Sequence, residues 1–392
     1  MSKIFKLHNQ IKHYEWGSAQ ILPEFLNQEN LKGLPFAEMW MGTHKGGSSK
    51  VQLDDNGSLT ELSEVSGDLP FLFKILAVEK PLSIQAHPDK TQAEEGFKKE
   101  EKSGLSIKSP KRNYKDTNHK PEIICALTPI KLMAGFREPQ TIKKLFNDYI
   151  FVLPQLKEIL TPVINSLARG QLTDFFRALF NLSGYERDYL SSIINNYESK
   201  IQSGSISDEE WNLIKYFCSV YPGDPASLSP LYLNYIELKP GQAIFVPAGI
   251  LHAYISGFAV ELMSNSDNVL RGGLTPKHVD ISELLNILRF EPFIPQVITP
   301  SESADWFCYN TQCSNEFELA CMSKEQKFPG NTPAMCIVTE GEVKVDDKTF
   351  KKGESFFIPK IDVSNDSAAE NADVPFFGGD FKLYAACSPC QK

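Results

Sequence analysis

Four side chains in this 392-residue chain have the types and placement of a metal site: Gln85, His87, Glu122 and His252. Ser83, Gln85 and His87 alternate in LSIQAH and so share one face of an extended strand. Three polar side chains on one face of an otherwise apolar strand need partners. Glu122 follows Pro121 in NHKPEIICAL. Pro121 biases Lys120 towards extended geometry, which sets Lys120 and Glu122 on one face. His252 closes the stretch GQAIFVPAGILH. There Ala243, Ile244, Phe245 and Val246 form a short β-prone run, Pro247 stops it, and Gly249 supplies the positive φ of a sharp turn. Each residue alone has a plain reading: His252 as a satisfied core group, Gln85 as a core hydrogen-bonder, Glu122 as the ion-pair partner of Lys120. Together they are four N/O ligands from three strands. Two His and one carboxylate suit Zn²⁺, and with one ionised ligand the metal stays a strong Lewis acid. Ligand type alone leaves Mn²⁺, Fe²⁺ and Co²⁺ open.

The elements that must position these residues are mostly strands. In LPFLFKILAVEK, Phe71, Phe73, Ile75 and Ala77 alternate with Leu72, Lys74, Leu76 and Val78. Both faces are largely apolar, which predicts a central strand. Residues 91–118 are charged, helix followed by loop, with a basic cluster at Lys108, Lys111, Arg112 and Lys115. That cluster reads as a solvated loop, or as a mobile lip that steers an anion inward. Residues 138–230 change to helical spacing. Ser207 and Glu210 form a capping box before a face of Trp211, Ile214, Phe217 and Tyr221, and the turn-rich PGDPASLSP is expected to close the insertion. Strand returns at LYLNYIEL, and a short helix capped by Asp280, with Glu283 three later, buries Leu284, Leu285, Ile287 and Leu288.

The last part, 301–392, is strand-rich again, with turns expected at Glu340-Gly341 and Asp346-Asp347. Gly353-x5-Pro359 repeats the spacing of Gly241-x5-Pro247, a faint internal repeat that suggests a second barrel. No His follows His278, so this copy is expected to be structural and metal-free.

The fold class expected is therefore α+β with β dominant. Residues 1–137 plus 231–300 form a catalytic barrel, 138–230 an inserted helical domain, and 301–392 a C-terminal barrel. A net charge of −9 argues against general nucleic-acid binding, so an anionic substrate needs local basic groups. MSKIFKLHNQ lacks the apolar core of a secretory leader, and no apolar run is long enough to span a bilayer. The eight Cys are scattered, and Cys387-x-x-Cys390 without a second pair reads as a free-thiol tail. A reducing cytoplasm and a monomer are expected.

The spacing G-x5-P-x-G-x2-H around His252 resembles the second signature of the cupins, small jelly-roll β-barrels in which that His binds metal at the barrel mouth. The first cupin motif departs, with Gln85-x-His87 where His-x-His is usual. A closer resemblance is carried by QAHPDK, NHKPE, the P-A-G-x-x-H-A-Y around His252 and DNVLRGGLTPKH, with WGS near the start and GGDFKLY near the end. These are similar to the type I phosphomannose isomerases over essentially the whole chain. The resemblance implies one zinc on Gln85, His87, Glu122 and His252, an essential Arg271, and a mannose 6-phosphate–fructose 6-phosphate interconversion through a cis-enediol. It leaves the base open among Glu261, Lys120 and a metal-bound water, with His119 a candidate for ring opening. Ser83, Lys277, Trp16, Tyr254 and Asp267 are the expected substrate- and phosphate-facing residues; Glu38 and His44 are further candidates near Trp16. Two rival classes remain at this stage: a cupin-type metal oxygenase, and a non-catalytic sugar-phosphate sensor.

Overall fold

A computed structural model describes residues 4–53, 58–169, 171–197, 206–301, 304–309, 315–330, 332–361 and 374–389. Its frame is two antiparallel sheets of ten and eleven strands with a block of helices against the first. The apolar run read as a central strand is one. Phe71–Val78 is buried along its whole length and pairs with Glu38–Gly42 on one side and His252–Ser264 on the other. Its alternating faces serve different cores. Phe71, Phe73, Ile75 and Ala77 pack with Met335, Phe357 and Tyr384 of the second sheet. Leu72 and Leu76 face the other way, and Lys74 shares their side by the two-residue period.

His252–Ser264 is the spine of the first sheet. Near its start it pairs with Ile84–Ala86, His252 opposite Gln85, and with Ile130–Phe136. Further along it pairs with Phe71–Val78 and with Glu122–Ala126. Glu122–Ala126 is also zipped to Ala243–Val246, with Val246 opposite Glu122. Leu270–Gly273 flanks Ile84–Ala86, setting Arg271 opposite Gln85. Long-range pairing thus gathers segments that lie far apart in sequence around one spot.

The second sheet is built mainly from Ala334–Val345, Ser355–Ile358 and Phe381–Cys387, and Phe5–His8 joins it, with Phe5 opposite Phe357. The expected turn at Asp346-Asp347 forms, with Val345 opposite Lys348 and Asp346 at φ 53°. The turn expected at Glu340-Gly341 does not. Ala334–Val345 runs straight through it, with Gly341 paired opposite Phe381 and a register shift between Val338 and Glu340 that leaves Thr339 as the extra residue. Gly241 and Gly353, the repeated pair, both have φ 85° and each precedes a four-residue strand. Of Cys387-x-x-Cys390, the second Cys lies outside the described residues, as does Cys313; no two of the six described Cys are bridged to each other.

The helical stretch contains Pro139–Val152, Lys157–Asn165, Leu172–Phe180, Gly184–Asn196 and Asp208–Val220. The Ser207–Glu210 capping box is present, and Trp211, Ile214 and Phe217 are buried. These helices share one core with Ile84, Ala86, Leu251, Ala253, Leu270 and Leu274, the apolar neighbours of the candidate site residues. Residues 222–230, read as turn-rich, contain two short helical turns. The helical turns Pro225–Leu228 and Ser229–Tyr232 are wholly buried, and Asp224 accepts hydrogen bonds from the backbone amides of Ala226 (2.9 Å) and Leu274 (2.6 Å). The following strand accordingly starts at Leu233. The short helix Ile281–Ile287 is capped by Asp280 as read. No helix of the described residues is long and apolar enough to cross a membrane.

The contact between Leu270–Gly273 and the buried turns is close. A β-carbon on Gly273, whose φ is 126°, would lie 2.2 Å from the Ala226 β-carbon. Gly273→Ala is expected to cost about 1–3 kcal/mol in urea unfolding. Gly184→Ala, which meets nothing within 4 Å, should change stability little and serves as the control.

Candidate metal centre

Glu122, His87 and His252 are brought together by the pairing just described, and one ligand atom of each lies within 4.8 Å of the others. The Glu122 carboxylate reaches His252 Nε2 at 3.1 Å and His87 Nε2 at 3.4 Å. All three side chains are buried. His252 stands where it does because Gly249, at φ 80°, turns the chain after Pro247 into the long strand.

The hydrogen bonds on the far side of each ring decide what faces inward. His87 Nδ1 meets the carbonyl of Asn268 at 2.7 Å, and His252 Nδ1 meets the carbonyl of Ile250 at 3.0 Å. A carbonyl only accepts, so Nδ1 carries the proton and Nε2 offers a lone pair. Burial, followed by the charge of Lys120, pulls His87 down to about 4, so it is neutral near pH 7. Burial opposes the charge of Glu122, but Lys120, with Nζ 3.0 Å from Oε1, and the two imidazoles hold its carboxyl well below the usual range. The result is a carboxylate oxygen and two imidazole nitrogens, all acceptors, converging without a donor. His87 Nε2, His252 Nε2 and Glu122 Oε2 have no hydrogen-bond partner. Buried acceptors left this way are costly unless a cation fills the space between them. Gln85, half-buried, is placed by register between His252 and Arg271, beside the trio.

Next to the trio lies a buried line of charges. Lys74 Nζ is 2.9 Å from Glu261 Oε2 and 3.6 Å from Glu38 Oε2, and Trp40 Nε1 donates to Glu38. Burial would lower Lys74, but Glu261, Glu38 and Glu122 outweigh it and hold its ammonium charged. Glu261 is held above the ordinary carboxylate range by burial, despite Lys74. Burial and the charges of Glu261 and Glu122 push the Tyr254 hydroxyl well up; its ring lies 6.0 Å from that of His252. The sequence reading missed Lys74 as a site residue. The available signal was a single Lys in an eight-residue run that is otherwise apolar.

Arg271 is half-buried and, among the described residues, its side chain makes no hydrogen bond or ion pair; burial lowers its pKa. Lys277 is lowered by burial and then by the positive charges of Arg271 and Lys115, so three cations gather at one rim. Of the basic cluster read at 108–115, Arg112 belongs elsewhere. It is buried and bound to Glu100 (2.9 Å) and Glu101 (2.7 Å), a structural pin rather than part of a solvated loop or lip. The other expected residues are dispersed around the centre. Ser83 is half-buried just before Ile84–Ala86, and Trp16 stacks on Tyr14 at 5.9 Å. Asp267 is exposed and lies 3.5 Å from His44, while His119 Nε2 is engaged by Glu316 at 3.1 Å.

Comparison with known proteins places this geometry. A family model described as the phosphomannose isomerase type I catalytic domain matches residues 4–139. The mannose-6-phosphate isomerase of Escherichia coli (strain K12) is 40% identical over 302 residues, covering 73% of this chain and 75% of that protein. That of Salmonella typhimurium is 38% identical over 380 residues, covering 90% and 94%. The chain belongs to the type I mannose-6-phosphate isomerases. In this family, the crystal structure of the Salmonella typhimurium enzyme bound to substrate and a zinc atom superposes with a TM-score of 0.82 at 32% identity. The match covers 98% of this chain and 99% of that one. The mixed, strand-dominated fold is therefore that of mannose-6-phosphate isomerases.

The neutral state of His87 has a consequence for stability in the metal-free chain. Unfolded, an imidazole takes its proton near 6.5; folded, His87 resists until about 4. The unfolded state therefore binds more protons between those values, and stability must fall as pH falls through that window. Urea unfolding of chelator-treated protein at about pH 7 and about pH 4.5 should show the loss, and His87→Gln should flatten its slope.

Proposed function

We propose that this chain is a zinc-dependent mannose-6-phosphate isomerase that moves a proton between C1 and C2 of its substrate through a cis-enediol. The metal would be held by Gln85, His87, Glu122 and His252, one ion per chain. The observation that carries the reading is the buried convergence of three unpartnered acceptor atoms on His87, Glu122 and His252. An amide, a carboxylate and two imidazoles, with no thiolate, form a donor set that fits zinc. When bound, zinc supplies an electrophile for the sugar oxygens.

The protein's own groups then divide the remaining work. Glu261 is our candidate base. Burial raises its proton affinity towards neutrality, and Lys74 fixes the carboxylate from 2.9 Å. Lys120, 3.0 Å from Glu122, offsets charge on the metal-side carboxylate and stands ready to donate to a developing oxyanion. Arg271, a fork of donors with no protein partner among the described residues, and Lys277 take the phosphate, with Ser83 beside them. Trp16, Tyr254 and Asp267 would line the sugar, and His119 would assist ring opening.

The organisation read from the sequence supports this division: a catalytic unit of residues 1–137 plus 231–300, a helical insertion at 138–230 and a structural unit at 301–392. We place the protein in the cytoplasm as a monomer, supplying mannose 6-phosphate for GDP-mannose synthesis or passing mannose carbon into glycolysis.

A coupled assay on mannose 6-phosphate tests the reading directly. Turnover should vanish with a chelator and return with zinc; binding of the sugar phosphate without interconversion would point to a sensor instead. Two variants separate metal from chemistry. Arg271→Ala should abolish turnover with one zinc per chain retained, and His252→Ala should empty the site. Glu261→Gln should keep its zinc and lose about 10²–10⁴ in kcat, with the uptake of solvent tritium falling in parallel. Retained tritium uptake in that variant would assign the base elsewhere.

A further inference from the structure

We propose that Asn268 is a positioning residue that locks His87 and residues 115–118 into one unit, so that metal grip and anion rim are set together. The metal half of this inference rests on the zinc reading above. Asn268 is fully buried, and neither the motif reading nor the mechanism uses its side chain. Its backbone carbonyl receives the Nδ1 proton of His87 at 2.7 Å, the bond that turns the His87 lone pair inward. Its side-chain amide works in the other direction. Oδ1 accepts from the backbone amides of Lys115 (2.7 Å) and Asp116 (3.1 Å). Nδ2 donates to the carbonyls of Asp116 (2.9 Å) and Asn118 (2.8 Å) and lies 3.1 Å from the Asp116 carboxylate. Both lone pairs and both hydrogens of the amide are thus in use.

Neither segment has regular structure of its own: residues 115–121 and 265–269 are irregular. Their backbone groups find no ladder, so a side chain must satisfy them. Asp116 reciprocates, its carboxylate accepting from Ser266 Oγ (2.9 Å), the Asp267 amide (2.7 Å) and the Asn118 amide (2.8 Å). What leaves this knot is the site itself. One segment runs on from Asn118 to Lys120 and Glu122; the other runs from Asn268 to Arg271. Lys115, pinned by its amide, is the residue whose charge bears on Lys277 at the rim. Only a carboxamide meets this pattern. Aspartate has the same shape but no donor, and would set a charge against two carbonyls and the Asp116 carboxylate.

The test uses the full-length chain with Asn268→Asp, Asn268→Ala and the milder Ser266→Ala. Three quantities are read: the zinc dissociation constant by chelator competition, KM and kcat at saturating zinc, and the melting temperature of the metal-free chain. Asn268→Asp is expected to bind zinc about 10- to 100-fold more weakly, with KM raised as the rim shifts. Ser266→Ala should show a smaller loss in the same direction. Zinc affinity within about twofold of the parent in a folded Asn268 variant, with only the melting temperature lowered, would mean a purely structural role and overturn the proposal. Should neither Asn268 variant fold, the same criterion applied to Ser266→Ala decides. Should the parent bind no zinc here, the zinc reading fails separately. Hydrogen exchange at His87 Nδ1, followed by NMR in the metal-free chain, then decides the positioning role. Faster exchange in the variants supports it, and unchanged exchange refutes it.

Discussion

The constraint on which this structure turns is the burial of an ionised carboxylate against two imidazole lone pairs. Glu122 is 1% exposed, and among the described residues only Lys120 offers it a full positive charge within hydrogen-bond reach. Lys120 occupies Oε1, which also lies 3.4 Å from His87 Nε2, and leaves Oε2 facing His252. Burying three acceptors this way costs stability, and a positive group between them offsets that cost. The strand architecture makes that arrangement unavoidable once it forms. His252, Glu122 and His87 sit at strand ends or just beyond them, while the strand bodies are locked into apolar cores on both faces. The cores hold the ligands in place; the ligands give the cores nothing in return.

The charges next to the centre follow the same logic on a second level. Lys74 is flanked by Glu38 and Glu261, so a buried ammonium is matched by two carboxylates, and Glu122 adds to the surplus of negative charge. Burial, with that surplus, is why Glu261 holds its proton more tightly than an ordinary glutamate. Burial thus favours the protonated form of Glu261, whereas its carboxylate neighbours favour the charged form of Lys74. The same surroundings therefore act in opposite directions on the two partners of one ion pair.

Much of this was legible in the sequence, and the parts that were not have a common cause. His252, Glu122 and His87 could be read because local rules place them: a Pro-Gly turn, an X-Pro extension and a two-residue alternation. The capping box at Ser207 and the N-cap at Asp280 could be read for the same reason. Lys74 could not, since its role depends on Glu261, 187 residues away and opposite it only through strand pairing. Arg112 was misread because composition shows a basic run and not the two glutamates that bury it. Glu340-Gly341 was misread because a glycine inside a strand and a glycine in a turn look alike until the partner strand is known. Residues 222–230 carry turn chemistry, but the core they close over turned those signals into buried helical turns.

The repeated Gly-x5-Pro spacing sets a similar turn in each of the two sheets. Gly241 and Gly353 adopt the same φ and launch strands of equal length, and both strands belong to antiparallel pairs. Five residues past Pro247 stands His252; five past Pro359 stands Ser364, outside the described residues. The second sheet is put to another use. Tyr309 donates its hydroxyl to the Gly241 carbonyl at 2.8 Å, and Tyr309 and Tyr384 both contact Cys125, on the strand that begins with Glu122. The second sheet thus braces the turn and the strand that lead to His252 and Glu122. Bracing of this kind contributes to function when it fixes the backbone on which a site is mounted.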